Sequence, residues 1–167
     1  ALGEATEGKR LIQMDWEDNL VWEFDGAERG DLAPHHDFQR EGNPTGYYAP
    51  QMEPLREGNT LILVRTSAQY PEIAPGNILD DRIVEVDPEG RILWEWRSGE
   101  HFHQLGLDEA ARNIIYRAAA IAKDYDGLHS PMHSKDPYDW LHSNSASYVG
   151  PNRWHEAGDE RFAPDNI

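Results

Sequence analysis

Two stretches of this chain can be laid on each other. LIQMDWEDNLVWEF (11–24) and IVEVDPEGRILWEW (83–96) bring Asp15 onto Asp87, Trp22 onto Trp94 and Phe24 onto Trp96, each pair 72 residues apart. Both read as strand, tight turn, strand. Their flanks alternate apolar and polar, as half-buried strands do. WEDN and PEG supply the turn: Asp, Asn and Gly tolerate or bond within tight turns, and Pro pre-sets φ. A repeat constrains the fold strongly, because each unit must bury its apolar face against its neighbour.

A second comparison supplies the rest of the unit. HHDF…LREGNTLILV (35–64) lies against LHSNSASY…FAPDNI (141–167), with His36 on His142 at an offset of 106 and Asn59 on Asn166 at 107. The unit order is a His-bearing strand, a loop, a GN-type turn, a strand, then the hairpin that ends in Trp-Glu-aromatic. Four-stranded antiparallel units in series are the blades of a β-propeller. The expected fold is therefore all-β: about two to three four-stranded blades of a propeller, with one inserted helix near 108–122. Over a single partial domain, 1–167, residues 10–24 would end one blade and 35–96 form a full one. Residues 97–138 would be an insertion, and 139–167 would start the next blade. In DEAARNIIYRAAAIAK (108–123), Asp108 can cap the helix, Glu109 suits its first turn and the alanines favour it. QREGNPTGYYAPQMEP (39–54) and DYDGLHSPMHSKDPYD (124–139) read as loops, with Pro131 and Pro137 breaking any helix. So few blades cannot close a ring or hide their edge strands. The expectation is that the rest of a propeller, from the same or another chain, completes them, and that this piece alone is not a compact monomer.

Composition narrows the function. With 15 basic and 31 acidic residues the formal charge is −16, which argues against nucleic acid and anionic membrane surfaces, both held by basic patches. No apolar run is long enough for a membrane span, and no basic-then-apolar leader opens the chain. Cysteine is absent, which excludes disulfides, thiolate chemistry and cysteine zinc sites. His129 and His133 are four apart, but Pro131 denies them the helix a zinc pair needs. DYDGL, SKDPYD and AGDER do not follow calcium-loop spacing. There is no glycine-rich phosphate loop and no Gly-x-Ser-x-Gly elbow. Neither a metal nor a cofactor is expected.

The histidines carry the chemistry. His35 and His36 are neighbours in PHHDF, so in a strand they point to opposite faces. Asp37 beside them either orients an imidazole or caps a turn. The innermost strand of each propeller blade lines the central channel, so matched positions of adjacent blades converge there. His36 and His142 are such a pair and are the catalytic candidates. A positioned histidine serves as nucleophile, general acid or base, or donor to a developing anion. Asn144, two residues beyond His142 and on the same face of an extended chain, offers an amide. It and His35 are the substrate-binding candidates. The competing reading is that a repeat retains histidine for packing.

HHDF, GNTLIL, DDRIVEVDPEGRILWEW and DWLHSNSASYVGPNRW…GDERFAPDNI resemble the arylsulfotransferase family of six-bladed β-propellers, from about residue 10 to the last residue. The resemblance implies a PAPS-independent reaction in which a sulfuryl group moves from a phenolic sulfate ester to a phenol. A histidine would be transiently sulfated, in ping-pong fashion. It gives His36 and His142 the task of holding or protonating the sulfate and phenolic oxygens, with an aryl sulfate and a phenol as small-molecule partners. The catalytic arginine, on an SSR-type strand after DNI, and the sulfated histidine, in a later blade, would lie beyond residue 167. A periplasmic or extracellular location and a possible oligomer accompany this expectation. Two other classes compete: a non-catalytic propeller used for binding or scaffolding, and a metal-dependent hydrolase built on the histidines.

Overall fold

A computed structural model describes residues 2–3, 10–15, 17–29, 32–41, 58–124, 138–164 and 166–167. They are mostly β with few helices, consistent with part of an all-β, propeller-like fold. Strands β1 (Leu2–Gly3), β2 (Arg10–Met14) and β3 (Leu20–Asp25) form one sheet in that order. Strands β4 (Ala33–Arg40), β5 (Thr60–Gln69), β6 (Asn77–Val86) and β7 (Ile92–Arg97) form a second, each beside its sequence neighbour, and β8 (Tyr138–Asp139) joins it on β6. Two α-helices follow from the described residues, α1 (Glu109–Asp124) and α2 (Arg153–Glu156). Most of the two expected loops, His129 and His133 included, lies outside the described residues. No helix among the described residues is long and apolar enough to cross a membrane.

The chain divides into two compact units. The first comprises Ala1–Val64, Ile83–Glu95 and Asn144–Ile167. Its core is built by strand periodicity. Trp22 and Phe24 on β3, Ile62 and Val64 on β5, and Val84 and Val86 on β6 are alternate residues that bury one face, joined by Leu11 and Leu32. The buried Arg40 guanidinium lies 4.7 Å over the Trp22 ring, where its cation meets the negative face of the indole.

The 72-residue repeat survives to single hydrogen bonds. In the β2–β3 turn, Asp15 N–H donates to Asn19 O at 3.0 Å, and Asn19 N–H donates to the Asp15 carboxylate at 2.9 Å. In the β6–β7 turn, Asp87 N–H donates to Arg91 O at 3.0 Å, and Arg91 N–H donates to the Asp87 carboxylate at 2.8 Å. Asp18 (φ 64°) and Gly90 (φ 77°), also 72 apart, take the left-handed conformation each turn needs. The second alignment holds approximately. Glu41 N–H donates to Asn59 O at 2.8 Å, and Val149 N–H donates to Asn166 O at 2.7 Å, the acceptors 107 residues apart and the donors 108.

The second unit comprises Arg65–Arg82 and Trp96–Ser143. Helix α1 starts where Asp108 predicts, with Ala111 N–H donating to the Asp108 carboxylate at 2.7 Å. Ile115 and Ala119, one turn apart, face a core of Ile73, Ala74, Ile78, Phe102 and Trp140. β8 runs parallel to β6, pairing Ile78 with Tyr138 and Leu79 with Asp139. The buried Asp80 accepts from Ser98 Oγ at 2.7 Å and Gly99 N–H at 2.9 Å, which starts the 3₁₀ turn Gly99–Gln104. Burial, then the charges of Asp80 and Glu100, push the Tyr70 phenol up to about 12.

Two stability predictions follow from these turns. Burial pushes the Asp87 carboxyl up, but the Arg91 backbone N–H, guanidinium and charge, with the Glu89 N–H, outweigh it and hold the carboxyl below its ordinary value. Its stabilisation is therefore present above the unfolded value of about 3.9 and lost as pH falls through the lower folded value. Asp87→Ala should lower the urea midpoint at neutral pH, and the deficit should shrink in acid; a pH-independent deficit would contradict this account. At Gly99 an added Cβ would run into the Tyr70 ring. Gly99→Ala is expected to cost about 1–3 kcal/mol, the scale of overpacking, read by chemical denaturation.

Candidate active site

His142 is placed by the residues just before it. Tyr138 and Trp140 alternate into the core of the second unit, Trp140 packing edge-on against Phe102 at 5.5 Å. Asp139, between them, points away from that core by strand alternation. His142 then takes φ 58°, a left-handed conformation uncommon outside glycine. Its Nδ1 lies 2.5 Å from Asp139 Oδ2, three residues back. An ionised carboxylate only accepts, so this contact is a hydrogen bond when Nδ1 carries the proton.

Two long strands complete the cluster. Arg65 on β5 brings a guanidinium nitrogen to 2.8 Å from His142 Nδ1 and 3.2 Å from Nε2. The same nitrogen lies 3.5 Å from Asp139 Oδ2, and Arg65 Nε lies 4.0 Å from Asp81 Oδ1 on β6. Asp81 Oδ2 accepts from Ser143 N–H at 2.6 Å, which pins the backbone next to the histidine. The Asp81 and Asp139 side chains are only 1% and 6% exposed, whereas His142 is 44% exposed. Two buried carboxylates thus flank one guanidinium, and an accessible imidazole sits at their edge. Such an arrangement can donate or accept a proton at Nε2 and present a cation to an approaching anion.

His35, His36 and Asn144 belong to the first unit. His36, on β4, is exposed and shares the φ of 58° found at His142. Alternation would send His35 and His36 to opposite faces, but their rings meet edge-on at 5.0 Å, since a left-handed residue breaks the period of two. The same break at His142 removes the basis for placing Asn144 on its face. Asp37 accepts from Ala146 N–H at 3.3 Å, and Gln39 accepts from Tyr148 N–H at 3.0 Å. Asp37 and Gln39 together therefore hold the 146–148 segment along β4. Non-glycine residues in this region of φ cost of order 1–3 kcal/mol and cluster at functional sites.

Sequence reasoning singled out His142 but not Arg65, Asp81 or Asp139. A signal was present: each is a charged residue within or beside an apolar strand segment, LILVRTSAQ, NILDDRIVEV and YDW. Charge in such places is costly unless partnered.

The chain is thus a mostly-β repeat protein with a histidine-centred polar site. The family model for arylsulfotransferase (ASST) matches residues 41–153. The chain belongs to the arylsulfotransferase family. Comparison with curated proteins and with solved structures found no match.

The shared φ makes a direct prediction. Glycine adopts φ 58° without the steric penalty that alanine meets. His36→Gly should therefore be more stable than His36→Ala by about 1 kcal/mol, measured by urea denaturation of both. The reverse order would show that His36 does not take the left-handed conformation.

Proposed function

We propose that this protein takes part in PAPS-independent transfer of a sulfuryl group from a phenolic sulfate ester to a phenol, through a sulfohistidine. Membership of the arylsulfotransferase family supports the general chemistry. The observation that carries the finer reading is the anchoring of His142: Nδ1 on the buried Asp139, with the Arg65 guanidinium 2.8 Å from Nδ1 and 3.2 Å from Nε2. An imidazole held this way is a proton shuttle beside a fixed positive charge.

In the first half-reaction the S–O bond of the donor breaks and an S–N bond forms to a nucleophilic histidine, which the family resemblance assigns to a later blade. The departing phenolate takes the proton from His142 Nε2. In the second half-reaction His142, now neutral, removes the proton of the acceptor phenol, whose oxygen attacks sulfur and releases the histidine. Each cycle returns the proton to where it began. The guanidinium favours the negative charge spread over the sulfuryl oxygens, an effect larger in a water-poor site than in bulk water. His36, matched to His142 in the repeat and in backbone conformation, is proposed as a second group for the sulfate and phenolic oxygens, with His35, whose ring meets that of His36, binding substrate.

In the complete protein, His142→Ala is expected to lower kcat/KM for aryl-sulfate transfer by roughly 10²-fold or more. His142→Asn should recover little, because an amide donates a hydrogen bond but does not shuttle a proton. Stability should fall by less than about 2 kcal/mol. Steady-state transfer to a phenol acceptor, run beside a thermal melt, reads both. Near-normal transfer with a large loss of melting temperature would make His142 structural.

A further inference from the structure

We infer that Asp139 is a positioning residue that fixes the proton of His142 on Nδ1. The inference rests on the proposed role of His142 at the reacting oxygens. Its structural part stands on separate observations.

Asp139 is held from both sides. Its backbone pairs with Leu79 on β6, and its neighbours Tyr138 and Trp140 are packed into the core of their unit. Its side chain is 6% exposed, and among the described residues Oδ1 has no hydrogen-bond partner. A buried carboxylate is stabilised only by the donors that reach it. The nearest is His142 Nδ1 at 2.5 Å; the Arg65 guanidinium stands 3.5 Å from the carboxylate and 2.8 Å from the same Nδ1. A guanidinium has no lone pair to receive an imidazole proton, so Asp139 is the acceptor that can hold one at Nδ1. With Nδ1–H committed to Asp139, proton exchange is confined to Nε2. That nitrogen is a base when the imidazole is neutral and an acid when it is charged, which is the alternation the two half-reactions require.

The repeat sharpens the argument. The offset of 106 that brings His36 onto His142 brings Ala33 onto Asp139. The two histidines share a backbone conformation, but Ala33 cannot accept a hydrogen bond through its side chain. Asp37, next to His36, accepts from the backbone of Ala146. So the residue three positions back is a carboxylate at one histidine of the matched pair and an alanine at the other.

The experiment compares Asp139→Asn and Asp139→Glu in the complete protein, using ¹⁵N-histidine NMR, steady-state sulfuryl transfer and a thermal melt. The His142 resonances are assigned by their loss in His142→Ala. Wild type should show the Nδ1–H tautomer and a hydrogen-bonded imidazole N–H at low field. Asparagine presents an N–H as readily as a C=O, so Asp139→Asn should mix the tautomers and lower kcat about 10²-fold or more with KM changed less than about threefold. Asp139→Glu, which keeps the carboxylate, should restore the Nδ1–H signature and at least a tenth of the rate. If Asp139→Asn leaves the tautomer unchanged, the positioning role is overturned whatever the rate does. If the tautomer shifts and Asp139→Glu restores it, the positioning role stands. In that case near-normal turnover in Asp139→Asn and His142→Ala alike would instead overturn the proposed role of His142. Should Asp139→Asn fail to fold, the Asp139→Glu spectrum decides alone: loss of the Nδ1–H signature in that folded variant would overturn the inference.

Discussion

A carboxylate removed from water must be met by donors, and much of this structure is arranged to meet that demand. Asp80 takes Ser98 and Gly99, Asp81 takes the backbone of Ser143, and Asp87 takes Arg91. Asp37 takes Ala146, and Glu85 takes both Asn59 and Tyr148. In each case an acidic side chain on a strand or turn accepts from a residue that has to be placed. Charged acceptors make the stronger hydrogen bonds, and losing one partner leaves a buried charge exposed to its full desolvation cost. The acidity of the chain, with 31 Asp and Glu residues, is thus partly a set of structural acceptors. The same demand, at Asp139, orients the histidine on which the proposed chemistry depends.

The repeat shows how far local chemistry and surroundings can diverge. The two Asp-anchored turns match down to the residue that takes positive φ, since the turn depends on a few adjacent residues. Their Trp residues do not match in environment: Trp22 is 5% exposed and Trp94 is 41% exposed. β3 lies in a sheet whose apolar face is covered, whereas Ile92, Leu93 and Trp94 on β7 remain open. His36 and His142 diverge in the same way. Their backbones agree, but the residue three positions before is Ala33 in one case and Asp139 in the other.

Local features of the fold were legible in advance. Alternating apolar residues marked β2, β3, β6 and β7, Asp108 marked the start of α1, and the repeat offset paired Asn59 with Asn166. At the site, the matched histidines were legible and their partners were not. Arg65 is 77 residues from His142, and Asp81 is 62 residues from Ser143. Nothing in their local sequence announces the pairing.

The sequence by itself determined the elements, the turns and the repeat, because each depends on residues within a few positions of one another. It also determined which histidines were matched, because an offset is a property of order alone. Only the tertiary structure decided what surrounds them. Arg65 and Asp139 reach His142 from β5 and β8, Asp81 on β6 holds the neighbouring Ser143 N–H, and their meeting depends on how those strands pair. The left-handed turn of His36 and His142 is likewise a tertiary outcome: it opposes the intrinsic preference of histidine, and persists only where the surroundings outweigh that preference.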